Sequence, residues 1–263
     1  MITSRQNPLV KAIRKLHQSK HRHQSQQFLL EGTHLIQEAL KVQWPLDILC
    51  YTPEWSQKEP FLFQQLQQAI ARVDCVSDEV LQAMATTVHP DGVLAVGRSR
   101  SETPAAPSGG SLHLLLDRIQ DPGNLGTLLR TAAATGVDQV WLSSDCVDLE
   151  NPKVLRASAG AWFQVATGSC DPLLQHLDWF RAEGLQIVAT APRATQAYWD
   201  IDYTQPTVLI MGNEGAGLTD AMLQAADALV KIPMEAVESL NVAIATAVIL
   251  YEVKRQRAIA MAG

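Results

Sequence analysis

Cysteine is scarce in this chain and never paired. Cys50, Cys75, Cys146 and Cys170 lie far apart, with no C-x-x-C pair and no neighbouring histidine pattern to complete a zinc set. This spacing argues for reduced thiols in packing roles and against a disulfide-stapled scaffold. Long apolar runs are also missing: the strongest, Val242 to Tyr251, is about half of the roughly 18 residues a membrane span needs. Met1 to Lys15 mixes charges among its apolar residues and lacks the apolar block of a secretion signal. A folded, soluble, cytoplasmic protein with no membrane partner is expected. The histidines gather only at His17, His21 and His23, without carboxylate or cysteine companions, so a polar, partly basic surface is expected there and no metal site.

Acidic residues are missing from one end. From Met1 to Leu30 there are six basic residues, Arg5, Lys11, Arg14, Lys15, Lys20 and Arg22, and no Asp or Glu. The net charge is −6, so the rest of the chain, with 15 basic against 27 acidic residues, carries −12. For a nucleic-acid partner the distribution of positive charge matters more than its sum. A solvated helix face would show the same run, so the charge alone does not decide.

What is present is enough for a sizeable core: 263 residues, 47% of them hydrophobic. The stretch Arg98 to Ser111, RSRSETPAAPSGGS, has no apolar periodicity and marks a connector, giving domains at 1–98 and 112–263 with a linker at 99–111. Upstream, helical patterns at Pro8 to Gln18, Thr33 to Lys41 and Glu54 to Ala71 alternate with strand-like runs at Leu46 to Tyr51, Arg72 to Val76 and Gly92 to Val96. Downstream, near-continuous apolar runs at 111–117, 138–144, 185–190, 207–212 and 228–233 are separated by helical segments. That alternation predicts an α/β fold with a parallel sheet covered on both faces and a ligand site at its carboxyl edge.

Three constellations could carry chemistry. In Asp117-Arg-Ile-Gln-Asp-Pro-Gly-Asn-Leu-Gly-Thr-Leu-Leu-Arg130, a strand ends and a helix begins near Asn124, a good N-cap. Leu125, Leu128, Leu129 and Ala132 make its buried stripe, Arg130 lies off it, and Gly136 is the stop. A surface arginine behind a structural cap would look the same. The second, Leu209-Ile-Met-Gly-Asn-Glu-Gly-Ala-Gly-Leu218, runs a strand into a glycine-rich turn with one carboxylate, without the Gly-Lys-Ser/Thr ending of a P-loop. The third, Ile232-Pro-Met-Glu-Ala-Val-Glu-Ser-Leu-Asn-Val242, precedes a helix that Ser239 or Asn241 could cap. That helix is apolar nearly all round and is expected to be buried, with Ala243, Ala245 and Ala247 permitting close packing.

Together with N-P-K-V-L-R-A-S-A-G-A at 151–161 and the closing LYE…RQR, these segments resemble, in order and spacing, the SpoU/TrmH family of RNA 2′-O-ribose methyltransferases of the SPOUT superfamily. The N-terminal ITSRQNPLVKAIRKL…FLLEG is similar to that family's substrate-binding domain, so the likeness covers nearly the whole chain. The resemblance implies a C-terminal parallel-sheet SPOUT domain with a deep trefoil knot, in which about Met211 to Leu250 is threaded through a preceding loop. It also implies a small N-terminal α/β domain with a ribosomal-protein (L30e-like) fold. S-adenosylmethionine would be the cofactor, contacted by Gly212, Ile232 and Leu240 with Thr190 and Met234 as neighbours, and no metal is implied. Two subunits would pair through the C-terminal domain to complete a site.

In that family the motif-one arginine, here Arg130, is cast as the group activating the ribose hydroxyl. A guanidinium stays protonated at neutral pH, so binding the adjacent phosphate and stabilising the forming alkoxide is its expected role. Asn124, Ser239 and Asn241 would orient the ribose and the arginine, and Glu214 would hold the site's loops or the arginine itself. Arg5, Lys11, Arg14, Lys15 and Arg22 are the candidates for RNA contact. Ribosomal RNA is the favoured substrate and transfer RNA the alternative.

The chain departs from the family pattern in a short loop after Met234 and at two N-terminal positions. There His89-Pro-Asp-Gly92 stands where a Gln-Gly pair is frequent, and His34 where arginine is common. A nucleotide-dependent oxidoreductase would need G-x-G-x-x-G and a later acidic residue, which Asp121-Pro-Gly-Asn-Leu-Gly126 does not supply. A catalytically silent RNA-binding protein on the same fold would have lost Arg130, Glu214, Ser239 or Asn241; all are in place.

Overall fold

The structure, a computed structural model, describes residues 1–99 and 111–262. The predicted connector therefore lies almost wholly outside the described residues. The chain forms two compact units: residues 1–99 with Asp148–Phe163, and residues 111–147 with 164–262. The strands are β1 (Gln27–Glu31), β2 (Leu46–Tyr51), β3 (Arg72–Cys75), β4 (Val93–Arg98), β5 (Leu112–Leu116), β6 (Gln139–Leu142), β7 (Ala166–Ser169), β8 (Gln186–Thr190), β9 (Gln196–Ala197), β10 (Thr207–Met211) and β11 (Ala228–Lys231).

In the first unit the sheet order is β1-β4-β2-β3, with β4 antiparallel to both neighbours and β2 parallel to β3. Alternation along the strands feeds two cores. Phe28, Leu30, Val93 and Ala95 face Ile36, Trp55 and Leu66. Leu29, Leu94 and Val96 face Leu9, Val10, Ile13 and Met84. Cys50 belongs to the second core, and burial pushes its thiol up to about 12, so it stays a packing group.

The helical pattern expected over Glu54 to Ala71 is two helices, Pro53–Lys58 and Pro60–Ala69, because Pro60 starts the second. The first helix stops at Lys15, and a second, Ser19–Ser25, follows. A helix at Asp78–Met84, capped by Ser77, was not expected.

The predicted division placed all of 112–263 in the second domain, but Asp148–Phe163 packs in the first unit. The reason is apolar and ionic. Helix Pro152–Ser158 buries Leu155 among Phe28 and Leu30, while Trp162 packs at a tilt on Phe28 and edge-on against Trp44, with ring centroids 5.1 and 5.0 Å apart. Arg156 pairs with Glu31 at 3.2 Å, a buried carboxylate that also accepts from the amides and hydroxyls of Thr86 and Thr87.

The second unit is a seven-stranded sheet in the order β7-β6-β5-β10-β8-β11-β9, parallel throughout. All residues of β5, β6 and β10 are buried, as both-face coverage requires. The edge strands β7 and β9 are short and part-exposed and carry no apolar run, which is why the sequence shows five strands rather than seven. The last helix, Val242–Ala262, packs along helix Pro122–Thr135. Its expected complete burial does not hold. Val242, Thr246, Ile249, Leu250 and Val253 are buried, but Ile244, Tyr251 and Ile259 are more than half exposed.

Its far end is fastened by polar contacts. Arg257 donates to the carbonyls of Tyr203 and Gln205, and Gln256 both donates to Ile201 O and accepts from Tyr203 N. This gives the closing RQR a structural role. Among the described residues no helix is long and apolar enough to cross a membrane.

Candidate active site

The site is assembled at the carboxyl edge of the seven-stranded sheet. Beyond β5, helix Pro122–Thr135 is capped by Asp121, whose Oδ1 accepts the Asn124 amide at 2.9 Å, with Pro122 at the first helical position. Asn124 is thus not the N-cap expected from the sequence; Asp121 takes that role one turn earlier. The displacement frees the Asn124 side chain. Its Nδ2 donates to Glu214 Oε1 at 2.9 Å, and its Oδ1 accepts from Asn241 Nδ2 at 3.0 Å. Asn241 in turn caps the last helix, its Oδ1 accepting from the amides of Ala243 and Ile244.

The orientations are mutually fixed. A carboxylate only accepts, so Asn124 must present its amide there and its oxygen to Asn241. One polar chain therefore joins all three constellations. Glu214 holds the glycine-rich turn to the helix start and does not pair with Arg130.

That turn is closed on itself. Gly217 N donates to Asn213 O, and Asn213 Oδ1 accepts from the amides of Gly215 and Ala216. Gly217 has φ +65, a conformation glycine adopts without strain. At Gly212 a Cβ would come within 2.7 Å of the Gly217 carbonyl carbon and the Leu218 nitrogen, so no larger residue fits. At the end of β5, the Cys146 thiol is pushed up by burial and donates to Leu116 O.

Between the ends of β8, β10 and β11 and the start of the last helix lies a cleft of about 470 Å3. All five residues expected at a cofactor, Thr190, Gly212, Ile232, Met234 and Leu240, line it, with Glu214 and Ser239 at its wall. Glu238, which no local sequence pattern marks, also lines it. Asn124 and Asn241 lie outside the lining and are tied to it through Glu214.

Arg130 is exposed, is not among the residues that line the cleft, and makes no hydrogen bond or ion pair to any described residue. It sits six residues past Asn124, about 9 Å further along the helix and on another face. Missed by sequence reasoning was Arg118, which grips the glycine-rich turn from the β5 end; nothing local marks it. Asp121 had a local signal, an acidic residue directly before a proline that opens a helix.

Of the basic N-terminal residues, Arg5, Lys11, Arg14 and Lys15 are exposed, the last three on helix Pro8–Lys15. Arg22 is not available to RNA. Only 1% exposed, it donates to Asp148 at 2.5 and 3.1 Å and to Leu16 O at 2.8 Å, so its place among the RNA contacts is corrected to a buried ion pair. His17 turns its ring to Met84 O, and His34 lies 3.3 Å from Ala159 O.

A parallel α/β unit with a cleft walled by strand ends and a glycine-rich turn defines a class of protein that binds a nucleotide-like ligand at its sheet edge. Residues 111–251 match the SpoU rRNA Methylase family, and the chain belongs to that family. Residues 7–95 match the MRM3-like substrate binding domain. An uncharacterized tRNA/rRNA methyltransferase of Synechocystis sp. is 49% identical over 97% of this chain and 94% of the relative. The 23S rRNA guanosine 2′-O-methyltransferase RlmP of Bacillus subtilis is 34% identical over 96% of this chain and 98% of its own. Among solved structures, an AdoMet-bound rRNA methyltransferase from Sinorhizobium meliloti superposes with a TM-score of 0.84 at 35% identity, covering 97% of each chain.

Proposed function

We propose that this protein transfers a methyl group from S-adenosylmethionine to a ribose 2′-hydroxyl of ribosomal RNA. The observation that carries the reading is the Glu214–Asn124–Asn241 chain, which ties the three motif segments together at a residue that lines the cleft. The relatives named above as rRNA methyltransferases, one of them AdoMet-bound, support it. The cleft suits the cofactor in chemistry: Met211, Leu218, Val230 and Ile249 give apolar walls for a nucleoside, and Glu214 and Glu238 offer negative charge to a cationic sulfonium. When bound, S-adenosylmethionine would supply an electrophilic methyl group to the ribose oxygen, with the thioether as leaving group and the hydroxyl proton lost to solvent.

The chain's own residues align and stabilise. Thr190, Gly212, Ile232, Met234 and Leu240 hold the donor, and Ser239 and Asn241 orient the ribose. Arg130 neutralises the charge developing on the 2′-oxygen and binds the adjacent phosphate. Because Arg130 stands outside its own cleft, we read the working form as a homodimer in which each cleft is completed by a second copy. Ile244, Tyr251 and Ile259, exposed along the last helix, support self-association there. We also read about Met211 to Leu250 as threaded into a trefoil knot. The late strands β10 and β11 inserting between earlier ones, beside β8, support this. The proposed substrate implies a cytoplasmic location.

The deciding experiment maps 2′-O-methyl positions in total RNA with and without this protein. Loss of one ribosomal position is expected; a lost transfer-RNA position would move the substrate, and an unchanged map would sink the proposal. For RNA binding, replacing Lys11, Arg14 and Lys15 by glutamine is expected to weaken affinity and to reduce the slope of log K against log salt by about two to three. Filter binding across a salt series checks this, and an unchanged slope removes these residues from the footprint.

A further inference from the structure

The polar chain through Asn124 holds one side of the glycine-rich turn; Arg118 holds the other. Its Nη2 donates to Gly217 O at 2.8 Å and its carbonyl accepts from Asn213 Nδ2 at 2.9 Å, so one residue bonds the turn at both ends. It is itself fixed from behind: Nε donates to Asp117 Oδ2 at 3.0 Å, and its amide donates to Ser143 Oγ at 2.9 Å. Asp117 is 2% exposed, so its carboxylate is a firm anchor for the guanidinium. Arg118 has φ +55, a conformation a non-glycine residue adopts only at some cost. That strain is retained where both its carbonyl and its guanidinium meet the same turn. Asn213 and Gly217 are walls of the cleft, whereas the Arg118 side chain is over a quarter exposed and belongs to no apolar core cluster.

We propose that Arg118 is a positioning residue that sets the cofactor-facing turn, and through it affinity for S-adenosylmethionine rather than turnover of bound substrate. The inference rests on the methyltransferase reading. A guanidinium fixed by a buried carboxylate makes the turn's shape independent of RNA. Its loss removes the guanidinium donor from Gly217 O and leaves the Asn213–Gly217 turn held by its own bonds alone, so that it opens more readily and each binding event must close it again.

The test uses the full chain with Arg118→Ala, Arg118→Gly and Arg118→Lys. Glycine removes the side chain but accepts the backbone conformation, which separates the two contributions. Both Arg118→Ala and Arg118→Gly are expected to raise the cofactor Kd by calorimetry, and KM for cofactor, roughly tenfold, the effect of about 1.4 kcal/mol. kcat at saturating cofactor and RNA affinity stay near wild type. Arg118→Lys, which can reach one of the two acceptors, recovers part of the loss.

Without added cofactor, amide exchange of Gly215 and Ala216 is expected to quicken in Arg118→Ala. Wild-type cofactor affinity in folded Arg118→Gly, or a fall in kcat with KM unchanged, overturns the proposal. Should the wild-type chain itself fail to bind S-adenosylmethionine, the methyltransferase reading fails. The exchange measurement then still decides whether Arg118 holds the turn.

Discussion

Arg130→Ala is expected to lower methyl transfer at saturating substrates by about 10²–10³-fold or more, the loss typical of removing a donor that meets charge only in the transition state. Folding and cofactor binding should be untouched, because Arg130 is exposed, makes no hydrogen bond or ion pair to a described residue and stands outside the cleft. Labelled cofactor on a substrate ribosomal RNA fragment measures the first, and calorimetry the second. Retained turnover would remove Arg130 from the chemistry, and lost cofactor affinity would make it a binding residue. Co-expression adds a test of the dimer. Arg130→Ala chains paired with Gly212→Val chains, in which the added side chain strikes Gly217, should regain activity if the guanidinium is lent across subunits. Two inactive parents with an inactive mixture would count against a shared site.

Arg22→Ala is expected to destabilise the first unit by about 3 kcal/mol, within the range for removing one partner of a buried ion pair. The guanidinium is 2% exposed and Asp148 16%, so solvent screens the pair little. Among the described residues, its removal leaves Asp148 with only the exposed His23 ring at 3.5 Å and the Glu150 amide, beside the Glu150 carboxyl that burial already pushes up, and takes the Arg22 donor from Leu16 O. Denaturant melts read the loss. The double variant Arg22→Met/Asp148→Leu should recover most of it, since no lone buried charge remains. If Arg22→Ala instead left stability intact and flattened the salt dependence of RNA binding, the residue would belong to the footprint after all.

The contrast between Arg22 and its neighbours shows where sequence reading stops. Lys11, Arg14 and Lys15 share helix Pro8–Lys15 with the buried Leu9, Val10 and Ile13, and a period of 3.6 places charge and apolar residues on opposite faces. Arg22 carries the same charge in the same run, but its partner is Asp148, 126 residues away. No local pattern encodes that distance. The same holds for Asn124. Its place near the start of a helix was legible, while its link to Glu214 and Asn241 depends on contacts 90 and 117 residues apart. The segment 151–161 was legible as a motif, yet the apolar face it covers belongs to Phe28 and Trp44.

By itself the sequence determined what short-range physics controls: the buried strands of a parallel sheet, the helix stripes and the glycine-rich turn, while the five residues that line one cleft came from the family resemblance and meet only in the fold. Only the tertiary structure decided which basic residues are free, which carboxylates are anchors, and which unit Asp148–Phe163 joins. Propensity and periodicity act over a few residues, whereas burial and ion pairing are set by partners the chain brings together only when it folds.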